Sequence, residues 1–290
     1  MCGVCGCGDG ESRIEGVAIN KHDHNHGHSH NDHSHNGDVS HHPASKVTIG
    51  HNKLVEIERS ILSGNQLDAD RLKVHFADHG MFVLNILSSP GSGKTTLLVS
   101  TVSRLSAEGK AIAVLEGDQE TSNDADKIRS TGVQAVQINT GRGCHLDAGM
   151  VEQALGELSL PLESTLFIEN VGNLVCPAAF DLGEDFKVVI LSVTEGEDKP
   201  IKYPDMFAAA DVILITKIDL LPYVPFEIDK AIEYAKRVNP DVQIIQLSAL
   251  SGDGMDAWHE WIQLNAHKKI QAFRTGGGHT HHHDEAVKHA

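Results

Sequence analysis

An α/β fold, built as a mainly parallel sheet covered on both faces by helices, is the class this sequence predicts. Three observations carry the prediction: seven short runs are nearly all apolar, helical spacers separate most of them, and several runs end in acids or a glycine-bearing loop. Strands buried on both faces lose the in-and-out alternation of a half-solvated sheet, and parallel neighbours need a crossover, usually a helix. Ligands of such a sheet collect beyond the carboxyl ends of its strands.

The 290 residues are enough for one principal core. Residues 1–45 are dominated by Gly, His, Asp, Asn and Ser, with too few large apolar groups to offset ordering entropy, and are predicted as a flexible Cys/His-rich metal-binding tail. From Lys53, LVEIERSIL and DADRLKVHFADHG predict one or two amphipathic helical segments, broken near Ser63-Gly64-Asn65 and stopped at Gly80. The apolar runs follow: FVLNILS, AIAVLEGD, AVQINT, TLFIEN, KVVILSVTEG, DVILITKID and IIQLSAL. Among the helical spacers are LDAGMVEQALGEL, VPFEIDKAIEYAKRV and residues 255–267. The foldable domain is thereby predicted over 46–273, and the polar, histidine-bearing stretch 274–290 as a second flexible tail.

Forty acidic against 24 basic residues give a formal charge of −16, which excludes a broad basic face for nucleic acid. The same charge favours divalent cations, and 20 histidines add neutral imidazole ligands. An odd cysteine count, no apolar signal segment and no run of 18 apolar residues predict a cytoplasmic, reducing location without a membrane span.

SSPGSGKT, Ser88 to Thr95, follows the first apolar run and opens a helix. It matches the phosphate-binding pattern G-x-x-x-x-G-K-[ST] except at its first position, where Ser88 stands for glycine. Gly91 and Gly93 permit the tight backbone by which N–H groups, with Ser92 between them, surround phosphate oxygens at a helix start. Lys94 reaches the β and γ phosphates, and Thr95, followed by Thr96, gives its hydroxyl to Mg²⁺. Thr216-Lys217-Ile218-Asp219 closes a later strand. The Asp219 carboxylate can accept from the guanine ring N–H and exocyclic amine, for which adenine has no matching donor pair, so it selects GTP. Lys217 lies along the purine face. Ser248-Ala249-Leu250 then offers the Ala249 backbone to the guanine carbonyl. Asp118 is expected to hold Mg²⁺ directly or through water, with Glu120 as a second candidate. Glu169 opens ENVGN, where the Gly172 N–H is placed to contact the γ phosphate. No residue declares itself as the water-activating base: Gln119 and Asp118 both qualify, and slow hydrolysis is expected.

Cys144 and His145 are adjacent in RGCHLD, and Cys176 follows ENVGN in NLVCP. Two thiolates and an imidazole suit Zn²⁺ or Ni²⁺ but leave the shell open, which a symmetric dimer could complete. Cys2, Cys5 and Cys7 offer three close thiolates. Removal of Met1 would leave the Cys2 amine as a fourth donor, an S₃N shell acceptable to Ni²⁺, an iron-sulfur cluster being the alternative. Nine histidines between His22 and His42 are too loosely spaced for one rigid site and suit exchanging, storage-type binding.

Taken together, SSPGSGKTT, GRGCHLDA, ENVGNLVCP, TKIDLLP and CGVCGCG resemble the HypB family of hydrogenase nickel-incorporation P-loop GTPases, over roughly residues 46–270 and both the cysteine motif and the histidine tract of the amino-terminal tail. The resemblance implies a GTP-dependent homodimer with an interfacial metal held by Cys144, His145 and Cys176, and a tight nickel site at Cys2, Cys5 and Cys7. It also implies nickel delivery to the [NiFe]-hydrogenase large-subunit precursor together with the zinc-bearing partner HypA. A urease-type nickel GTPase of the UreG kind is the nearest runner-up; it would show a Cys-Pro-His interface motif in place of Cys144-His145 with distant Cys176. A passive nickel store and an ATP-dependent metabolic kinase are the other classes weighed.

Overall fold

The computed structural model describes residues 13–14, 17–18, 51–119 and 123–276. Two short strands come first, β1 (Arg13–Ile14) and β2 (Val17–Ala18), then the long helix α1 (His51–Asp78). The alternating body follows as β3 (Phe82–Ser88), α2 (Lys94–Ala107), β4 (Ile112–Asp118), α3 (Asn123–Arg129), β5 (Gln134–Asn139), α4 (Ala148–Leu155), β6 (Thr165–Glu169) and β7 (Phe186–Ser192). It ends with α5 (Lys199–Lys202), α6 (Pro204–Ala208), β8 (Val212–Thr216), α7 (Ile228–Val238), β9 (Gln243–Gln246) and α8 (Met255–Thr275). The sheet order is β2-β1-β5-β4-β6-β3-β7-β8-β9. Every pairing from β5 to β9 is parallel, as the seven apolar runs predict, while β1 and β2 add antiparallel at the β5 edge.

Alternate residues of each strand feed opposite layers, the period of two that extended backbone imposes. On one face Phe82, Leu84 and Ile86 meet Leu97, Leu98 and Val102 of α2 and Trp258 and Ile262 of α8. On the other, Val83 packs with Leu72 and Phe76 of α1 and Val151 of α4, and Leu87 lies in the cluster with Phe207 of α6 and Ala231 of α7. The buried Trp258 indole N–H keeps its partner by donating to Thr101 Oγ1 at 3.0 Å.

Three features differ from the sequence expectation. α1 is a single helix of 28 residues that runs through Ser63-Gly64-Asn65. A glycine inside a helix costs only about 1 kcal/mol, and the next residue anchors the turn: buried Asn65 donates to Asp181 O and accepts from Ala148 N, each at 2.8 Å. The helix does stop at Gly80, whose φ of +62° and close approach to Phe273 both demand glycine. α8 extends past His267 to Thr275, held by that Phe273 contact and by Arg274 pairing with Glu163. Patterning also predicts no strand before Phe82, because two-residue strands carry no periodicity; β1 and β2 nonetheless cover backbone groups that β5 would otherwise present as a free edge.

Candidate nucleotide and metal site

The carboxyl ends of β3, β4, β6, β8 and β9 bring the predicted nucleotide residues to one rim of the sheet. Gly91 and Gly93 have φ of +74° and +97°, the left-handed region that L side chains avoid, so the loop turns tightly before Lys94 starts α2. Ser88 explains its own departure from the motif. Its fully buried hydroxyl accepts from Ser92 Oγ at 2.6 Å and Lys94 Nζ at 2.9 Å, and donates to Ser89 O at 2.7 Å. The serine therefore organises the loop and holds the Lys94 ammonium. Burial lowers the Lys94 pKa, an effect opposed first by the charge of Glu169. Thr96, the next residue but one, points outward and is exposed.

Thr95 Oγ1 donates to Glu169 Oε1 at 2.8 Å. Glu169 lies opposite Glu116 in the β4–β6 register, and each residue is 2% exposed. Both Oε2 atoms are buried with no hydrogen-bond partner among the described residues. Burial pushes Glu116 up to about 9, with the Glu169 charge next in importance; Glu169 rises to about 7, also by burial, against the pull of Lys94 and Thr95. Two neighbouring buried carboxylates with unused oxygens beside a threonine hydroxyl form a hard-oxygen donor set that fits Mg²⁺. Asp118 stands at the end of the same β4. Glu116 was not legible as a site residue, since one acid within AIAVLEGD gives only the weak signal of a charge in an apolar run. Glu120 lies outside the described residues.

The loop Thr216–Asp219 leans on the loop Ser88–Thr95. Thr216 Oγ1 donates to Ser92 O at 3.0 Å and Lys217 Nζ to Gly91 O at 2.7 Å, with Lys217 itself left-handed at φ +61°. Asp219 sits in the short 3-10 turn Ile218–Tyr223. Buried Ser248 accepts from Leu250 N at 3.2 Å and Ser251 N at 3.1 Å, which shapes the turn carrying Ala249.

Cys144, His145 and Cys176 converge, with ligand atoms all within 4.8 Å of one another and each residue partly buried. The His145 ring lies 3.8 Å from that of Phe180, and burial lowers its pKa, favouring the neutral imidazole that binds metals. Asn173 joins the two ligand loops by donating to Cys144 O at 3.2 Å and accepting from Val175 N at 2.9 Å. Buried Asn170 ties them to the core: its Oδ1 accepts from Leu146 N at 3.1 Å and Val171 N at 2.9 Å, and its Nδ2 donates to Asn85 Oδ1 at 3.3 Å. A β-carbon on Gly172 would lie 3.0 Å from Pro90 Cα, so the segment between Glu169 and Cys176 touches the phosphate loop. Sequence reasoning missed Asn85, Asn170 and Asn173, whose roles depend on contacts distant in the chain. Cys2, Cys5 and Cys7 lie outside the described residues.

The model of the CobW/HypB/UreG nucleotide-binding domain matches residues 82–246. The hydrogenase maturation factor HypB of Azotobacter chroococcum mcd 1 is 50% identical, across 94% of this chain and 95% of that protein. The chain belongs to the HypB family of hydrogenase maturation factors. HypB of Escherichia coli (strain K12) is 46% identical, over 91% of this chain and 98% of its own length. A crystal structure of HypB from Helicobacter pylori in complex with nickel superposes with a TM-score of 0.64 at 36% identity, covering 75% of this chain and 99% of that one. Among the described residues of this family member, no helix is long and apolar enough to cross a membrane.

Proposed function

We propose that this HypB-family chain is a GTP-hydrolysing metallochaperone that binds nickel and releases it during [NiFe]-hydrogenase maturation. The observation that carries the reading is continuity: one segment, Glu169 to Cys176, receives Thr95 at its start, meets Pro90 at Gly172 and ends in a metal ligand. In the proposed mechanism the phosphate-loop N–H groups, Lys94 and Gly172 hold the β and γ phosphates. Asp219 and Ala249 read guanine, and Lys217 covers the ring. Thr95, Glu169, Glu116 and Asp118 are the residues that would hold Mg²⁺, which neutralises phosphate charge when bound. With no dedicated general base assigned, turnover is slow, and loss of the γ phosphate frees Gly172 and relaxes the grip of Cys176.

Cys144, His145 and Cys176 take nickel as cargo, or zinc in its place, and three ligands per chain leave positions that a homodimer fills across its axis. A zinc-bearing accessory protein of the HypA type and the hydrogenase large-subunit precursor are the proposed partners downstream. The deciding experiment titrates nickel into purified protein with GDP and with a non-hydrolysable GTP analogue, reading affinity and molecular mass together. A tighter or looser nickel site and a larger mass in the analogue form are expected. Identical affinity and mass in both forms would remove the coupling.

A further inference from the structure

The last turn of α1 and the residue after it carry two histidines, on the rim of the sheet opposite the nucleotide residues. His75 and His79 stand at i and i+4, the spacing that brings side chains together on one helix face. Their ring centroids lie 4.2 Å apart, with the planes inclined by 34°. With a metal–nitrogen bond of about 2.1 Å, two imidazoles at right angles around one ion have centroids about 4.5 Å apart, so the pair is a small rotation from chelating geometry. His75 is exposed and His79 half-buried, which leaves the pair open to solvent.

Hydrogen bonding fixes which nitrogen is available. His79 Nδ1 lies 2.8 Å from His75 O. A carbonyl only accepts, so Nδ1 carries the proton and Nε2 keeps its lone pair. Donation of the second ring N–H to a backbone carbonyl is the arrangement that orients metal-bound histidines. The His75 ring has no hydrogen-bond partner among the described residues. The scaffold under both rings is fixed: Met81 N donates to Phe76 O and Glu163 N to His79 O, each at 2.9 Å, and Gly80 turns left-handed against Phe273. The field also favours a cation, since the carbonyl end of the 28-residue α1 is the negative end of its dipole and Asp78 and Glu152 add carboxylate charge near His75.

We propose that His75 and His79 form a two-imidazole site for a borderline divalent transition-metal ion of the Ni²⁺ class, with water completing its shell. Imidazole nitrogens select such ions over Mg²⁺ and Ca²⁺, which take oxygen. The seven residues of β3 separate this rim from the Ser88 end of the strand by about 20 Å, so no ion is shared with Cys144, His145 and Cys176. The chain thereby carries a second metal point outside the segment between Glu169 and Cys176, and its occupancy follows free metal rather than the bound nucleotide.

Proton–nitrogen correlation NMR of the full chain, titrated with NiCl₂ in the GDP form and with a non-hydrolysable GTP analogue, tests the site. Paramagnetic broadening of the amides at positions 75–80 is expected to saturate, and to do so at the same free nickel concentration in both nucleotide forms. His79→Asn keeps a side-chain N–H for the His75 carbonyl and removes the lone pair, whereas His75→Gln leaves the His79 bond untouched. Each variant should lose the saturable broadening at 75–80 while the β3 amides stay in place. Broadening that never reaches these positions, that keeps the parent's half-saturation in either variant, or whose half-saturation moves with the nucleotide would overturn the proposal. Variants that lowered only the melting temperature would make the pair a helix cap and not a ligand set.

Discussion

Pro90 and Gly172 meet so closely that any β-carbon at 172 would lie 3.0 Å from the Pro90 Cα and 3.1 Å from its nitrogen. Gly172 has no positive φ, so its backbone is open to any residue and the contact alone calls for glycine. Gly172→Ala must push the segment leading to Cys176 away from the Ser88–Thr95 loop, at the ~1–3 kcal/mol typical of overpacking. The expected result is GTP-analogue affinity weakened about tenfold by calorimetry, with nickel affinity no longer responding to nucleotide. Unchanged affinity for the analogue would show that the contact carries no signal.

Glu116 gives a pH prediction. Its folded pKa of about 9 lies above the ordinary carboxyl value of 4.5, so the folded protein holds a proton that the unfolded chain releases across that interval. Stability of the nucleotide-free protein therefore falls as pH rises from roughly 5 to 9. Glu116→Gln keeps the shape without the charge. Urea denaturation should show a shallower pH slope and a gain of about 1–3 kcal/mol at pH 9, while Mg²⁺-dependent nucleotide binding weakens. A slope identical to that of the parent would show that Glu116 holds no such proton.

In the proposed reading, Asp219 sets base choice by accepting two hydrogen bonds from guanine. Asp219→Asn replaces one acceptor with a donor, which opposes guanine and suits the extra carbonyl of xanthine. Competition binding should show guanine preference reduced about 100-fold, the size expected for losing hydrogen bonds to a charged group. A variant that still prefers guanine as strongly would take Asp219 out of the role.

The parts that were legible in sequence follow from local chemistry. β3, β4, β6, β7 and β8 announce themselves because strands buried on both faces must be largely apolar, and the glycines at 91 and 93 because the turn into α2 requires left-handed backbone. Cys144, His145 and Cys176 could be grouped from ligand type, two thiols and an imidazole flanking the ENVGN segment. What stayed hidden depends on distant partners. Gly64 looks like a helix break until Asn65 is seen bridging Asp181 and Ala148, and β1 is too short to have a pattern. Glu116 resembles an ordinary strand acid until β6 places Glu169 beside it.

Asn170 connects the Cys144–His145 loop to the sheet, and two substitutions there, compared with each other, separate stability from metal binding. Asn170→Ala would leave the Leu146 and Val171 N–H groups without their acceptor and Asn85 Oδ1 without its donor. Each buried orphan costs about 1–3 kcal/mol, so a loss of several kcal/mol is expected by denaturation. Leu146 directly follows Cys144 and His145, so the ligand pair loses its fixed backbone and nickel affinity should fall together with stability. Asn170→Asp retains the acceptor for both N–H groups and forfeits only the donor to Asn85. It should recover most of the nickel affinity while remaining less stable than the parent. If both variants bound nickel as the parent does, the position of Cys144 and His145 would owe nothing to Asn170, and Asn173 would be left as the tie between the two ligand loops.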